Sequence, residues 1–134
     1  MRFLITLAAM ALPLPALAEG ARLTLDCAIE RVCDTQNTCT PSYGSLRVTI
    51  APVSTDAAGA GDYTVTAEDG SATVTPSPMP ARAPARTGPW VWLEAGEVLV
   101  TLALTSETTA LRIRQPVATG VAPGIDMMTC EVTA

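Results

Sequence analysis

The stretch RLTLDCAIERVCDTQNTCT, residues 22–40, holds three of the chain's four cysteines, and its pattern sets the fold class. Up to Glu30 it alternates strictly. Leu23, Leu25, Cys27 and Ile29 share one face, while Arg22, Thr24, Asp26 and Glu30 take the other. A period of two is that of a β-strand with one side in a core. Polar DTQNT, between Cys33 and Cys39, then reads as a turn.

The same alternation recurs along the chain. SLRVTIAP (45–52) sets Leu46, Val48 and Ile50 inward. DYTVTAEDGSATVTP (62–76) reads as a hairpin, with Tyr63 and Val65 leading into a Glu-Asp-Gly turn and Ala72 and Val74 leading away. WVWLEAGEVLVTLAL (90–104) reads as a second hairpin turning at Ala95-Gly96, with Val98, Val100, Leu102 and Leu104 on one face of the return strand. ALRIRQ (110–115) places Leu111 and Ile113 opposite Arg112 and Arg114. The last strand, MMTCEVTA (127–134), groups Met128, Cys130 and Val132. No segment keeps a helical period. About eight antiparallel strands predict an all-β meander closed as a small barrel or stacked as a two-sheet sandwich. Two stretches are expected to be irregular: PSPMPARAPARTGP (76–89), whose five prolines argue for an extended loop, and QPVATGVAPG (115–124).

The N-terminus carries Arg2, a short apolar run broken by Pro13 and Pro15, and then Ala16-Leu17-Ala18. That is the layout of a signal peptide over residues 1–18, leaving one secreted β-domain over 19–134. Cys27 lies too far downstream for a lipid anchor. Export places the domain in the periplasm or outside the cell, with no membrane span once the leader is removed. The whole chain carries 8 basic and 13 acidic residues, a net charge of −5, and no histidine. Loss of Arg2 leaves 7 against 13, or −6. This balance disfavours nucleic acid and anionic membranes, and suits a basic protein or an envelope component as partner.

The cysteine spacing, C-x5-C-x5-C and then a gap of ninety residues before Cys130, matches no zinc knuckle. A catalytic thiol would want a histidine base, which the chain lacks. Four cysteines in an exported chain predict two disulfides. Cys27 and Cys130 lie on the apolar faces of the first and last strands, so the expected pairs are Cys27–Cys130 and Cys33–Cys39. Met127, Met128 and Cys130 would suit copper(I), but core filling and the disulfide explain them better. The carboxylate pairs Glu94/Glu97, Glu68/Asp69 and Asp26/Glu30 read as turn or surface residues, so no catalytic residue, metal ligand or cofactor is assigned. The candidate partner-binding residues are Trp90 and Trp92, which share one strand face, with Arg82 and Arg86 of the proline-rich stretch. Aromatic and arginine side chains are what binding hot spots favour, provided the indoles stand outward rather than in the core.

A first-strand cysteine, a last-strand cysteine in TCEV and a meander between them resemble the small secreted, disulfide-bonded β-proteins of alphaproteobacteria. The layout, with WVWLEAGEVLV, is also similar to the membrane-bound C-type lysozyme inhibitor family. Those are small barrels with a terminal disulfide that block a hydrolase cleft. This chain lacks that family's Ser-Gly inhibitory loop, the lysine after its tryptophan and its lipoprotein cysteine, so no inhibitory residue carries over. The expectation is a non-catalytic β-domain that binds a protein or envelope component. Inhibition of a lysozyme-like hydrolase, or a structural role in the envelope, is the alternative.

Overall fold

The structure is a computed structural model that describes residues 22–70, 76–117 and 122–133. The signal peptide read at 1–18 and the return strand read at Ala72 and Val74 lie outside the described residues. Among the described residues nine strands follow one another: β1 (Leu23–Cys33), β2 (Cys39–Pro41), β3 (Ser45–Thr55), β4 (Gly61–Asp69), β5 (Met79–Ala83), β6 (Trp90–Glu94), β7 (Val98–Leu104), β8 (Thr109–Pro116) and β9 (Gly124–Thr133). All pair antiparallel with their neighbours, and β9 returns to β1. The result is a closed eight-stranded up-and-down barrel, rather than a sandwich, with β2 attached outside the ring to the end of β1. Closure removes the open edges on which sheets aggregate.

Inward-facing positions make one core. Leu25, Val48, Ile50, Val65, Trp90, Val100 and Leu102 are buried in it together with Cys27, Met128 and Cys130. The register sets Cys27 directly opposite Cys130 across the β1–β9 seam, and the two are bonded. The second disulfide joins Cys33 to Cys39. Between them the Asp34 carboxylate accepts the backbone N–H groups of Gln36 and Thr38, both at 2.9 Å, and ties the turn. Cys27 and Cys33 are six residues apart, an even spacing that a regular strand would keep on one face. A bulge between Ile29 and Arg31 reverses the alternation. Cys27 therefore points into the barrel, while Cys33 pairs with outward-facing Ile125 and stays outside the core cluster.

The proline-rich stretch corrects the expectation of a loop without a ladder. Met79–Ala83 is a strand, paired from Val65↔Met79 to Gly61↔Ala83 with β4. Its ladder with β6 covers only Ala81 and Arg82. Pro80 thus stands before that ladder begins, near the strand's start, where a missing N–H is tolerated. The β6–β7 hairpin turns where the alternation placed it. Ala95 and Gly96 both take positive φ (50° and 73°), the geometry of a two-residue turn that matches strand twist.

Candidate interaction surface

The four candidate partner-binding residues do not share a face. Trp90 and Trp92 point inward and are 0% and 2% exposed. Arg82 faces outward on β5 and pairs with Asp62 at 2.9 Å, and Arg86 is exposed in the loop that follows. An aromatic surface built on the two indoles is therefore not present. The physical reason is room: Ala81, Ala83 and Ala110 are the small inward residues of β5 and β8, and large rings fill the space they leave.

Both indole N–H groups lack an acceptor among the described residues. A buried donor without a partner costs about 1–3 kcal/mol, whereas the ring's volume is needed. Trp92→Phe is accordingly expected to change unfolding free energy by about 1 kcal/mol or less, while Trp92→Ala should lose about 3–5 kcal/mol. Urea unfolding of the two variants checks this. Equal losses would show that the N–H, not the ring, is what the core requires.

On β8 the arginine face is the inner one. Arg112 is buried and pairs across the ladder with Asp126, itself only 1% exposed. Asp126 accepts Arg112 Nε at 2.6 Å on one oxygen and Arg114 Nη2 at 3.0 Å on the other. Arg112 Nη1 also reaches Asp69 at 3.4 Å. Because β4 and β8 stand opposite one another in the ring of eight, these contacts bridge the barrel end where β9 begins. Gly124 makes room for this array: a Cβ there would lie 3.0 Å from Arg114 Nη2. The cluster is a set of ion pairs that closes one end of the core. Among the described residues, no three His, Cys, Asp or Glu side chains converge as metal ligands would.

Turning the arginines inward sends Leu111 and Ile113 outward, and this shapes the surface. Three cross-strand rows result. Val91, Thr101, Ile113 and Ile125 run side by side to the Cys33–Cys39 disulfide. Leu93 and Leu99 run to Gln115. Ala103, Leu111 and Met127 run to Arg31. Leu93, Ile125 and Met127 are 45%, 37% and 42% exposed, and the other apolar members of β6–β8 are half-buried by their neighbours. The opposite wall differs in kind. There β3 and β4 show Thr49, Thr64 and Thr66, and the row Glu131, Asp26, Arg47 and Glu68 crosses β9, β1, β3 and β4. The Asp26 carboxylate, by hydrogen bond first and charge second, raises the pKa of Arg47. At the far end of the barrel the Tyr63 hydroxyl donates to the Gly59 carbonyl. Burial raises its pKa, with Arg86 opposing and Asp56 adding.

The barrel is thus two-sided, with an apolar wall over β6–β9 and a polar wall over β3–β4. The sequence candidates touch this wall only at β6, where Trp90 and Trp92 take the inner face and Val91 and Leu93 the outer one. The signal for the wall was present in the outward set of β8, Leu111 and Ile113, which alternation assigned to a common face. No protein-family model, curated protein or solved structure matches the chain, so the reading of this surface rests on the molecule itself.

Proposed function

We propose that the protein is a non-catalytic exported β-barrel that binds a protein or cell-envelope component through its apolar wall. The observation that carries this reading is the three apolar rows on the outer face of β6–β9, where an isolated barrel would be expected to present polar side chains. Export is supported by the leader-like N-terminal segment and by two disulfides, which form in oxidising compartments. A membrane-spanning barrel needs an apolar band all round. Here the ion pairs Arg47–Asp26 and Arg82–Asp62 stand outward on the other wall, so one-sided protein contact fits better.

Neighbouring methionines provide the test. Met127 lies on the wall and is 42% exposed, whereas Met128 points into the core and is 3% exposed. Peroxide oxidation of Met127 is expected to be roughly tenfold slower in intact producing cells than in dilute purified protein, with Met128 slow in both. Peptide mass spectrometry reads both positions. Equal Met127 rates in the two settings would remove the wall as a contact surface.

A further inference from the structure

We propose that the apolar wall is occupied by a second copy of this chain, in a weak two-fold dimer packed wall to wall. The inference rests on the reading of that wall as a contact surface and names what it meets.

Charge is the first argument. The chain is acidic, at −5 overall; Asp26, Asp62 and Glu68 face outward on strands away from the wall, and Glu131 stands on β9 beyond the wall's last row, level with Asp26. Two copies approaching by those faces bring like charges together, which opposes association. Between their ends the rows on β6–β9 carry no charged side chain; Arg82 beside Val91, Arg31 beside Met127 and Gln115 beside Leu99 stand at the ends. The wall is the face on which identical acidic chains meet without that repulsion.

Area is the second. Leu93, Ile125 and Met127, the most exposed side chains of the rows, together with their half-buried apolar neighbours offer an area on the order of 500 Å² per copy, or about 1,000 Å² for a pair. This lies at the low edge of specific interfaces, so the dimer is reversible rather than permanent. A two-fold contact is self-complementary, and Ile113, midway along the central row, falls near the axis against its own symmetry mate. Facing sheets of this kind stack about 10 Å apart with strands inclined at about 30°. In such a pair the acidic row of each copy stays outward.

Sedimentation velocity on the purified, disulfide-intact protein tests the proposal. Over about 1 μM to 1 mM, a monomer–dimer transition with a midpoint of roughly 10–100 μM is expected. It should strengthen as salt screens the net charge. Ile125→Asp with Met127→Asp should move the midpoint up at least roughly tenfold, because the contact would then bury unpaired carboxylates. Thr66→Asp, on the opposite wall, should leave it in place. Circular dichroism confirms folding, and Met127→Lys serves if the double variant does not fold. A protein monomeric throughout, or a dimer that wall substitutions leave unmoved, overturns the proposal. If a monomeric protein still has Met127 protected in cells, the wall meets another partner. If Met127 is also unprotected, the contact reading itself falls.

Discussion

Replacing Cys27 and Cys130 together by alanine is expected to lower the unfolding free energy by about 4–5 kcal/mol, the largest loss from any single cross-link in this chain. The bridge spans 103 residues, so breaking it frees nearly the whole chain in the unfolded state. A domain of this size is ordinarily stable by about 5–15 kcal/mol, and the loss would leave a marginal fold at best. Position reinforces length. The bond lies inside the barrel across the β1–β9 seam, where the first and last strands must meet to complete the ring. Opening the Cys33–Cys39 loop, of sequence separation 6, should cost only about 2 kcal/mol on the same chain-entropy model. It would loosen β2, which lies outside the ring. Denaturant unfolding of the two double-alanine variants measures the ratio. Equal losses would mean that seam closure does not depend on the long bridge.

Asp126→Ala is the second large effect, with an expected loss of about 3–5 kcal/mol. The substitution leaves Arg112 at 10% and Arg114 at 30% side-chain exposure without the carboxylate that both contact. An unpaired charge held away from water is costly, whereas the intact pair gives little net stability over apolar packing. The replacement Arg112→Met, Arg114→Met, Asp126→Leu is therefore expected to recover most of the loss, and to show it in the denaturation midpoint. If Asp126→Ala were as stable as the parent, the cluster would be solvated rather than buried. If the triple variant were as weak as the single one, the ion pairs would themselves be what holds the barrel end.

Much of this architecture was legible in residue order. The all-β class, both disulfide pairs and the Ala95-Gly96 turn follow from alternation, cysteine position and turn chemistry, and the structure has each of them. The strand at Met79–Ala83 was hidden because prolines argue locally against a ladder. Only the barrel's need for a strand between β4 and β6 overrides that preference. For the candidate residues, alternation showed that Trp90 and Trp92 share a face but not that this face turns inward. Trp90 and Trp92 do sit beside Arg82 in the sheet, through Ala81↔Trp92 and Arg82↔Val91, yet on the opposite face.

What the sequence by itself determined is which residues share a face, because the side-chain period of a strand is two whatever the strand packs against. Which of the two faces turns inward was decided by closure of the ring. On β6 both faces are apolar, and the ring took the larger one, with Trp92 set against the small side chain of Ala81 across the ladder. On β8 the pairing of Arg112 with Asp126 made burial of the arginine face tolerable, and the aliphatic face became surface. On β1 a single extra residue at the Glu30 bulge separated Cys27 from Cys33, one into the core and one onto the wall. Alternation is a local property of the chain, whereas a choice of side depends on partners distant in sequence, and only the folded barrel brings those partners together.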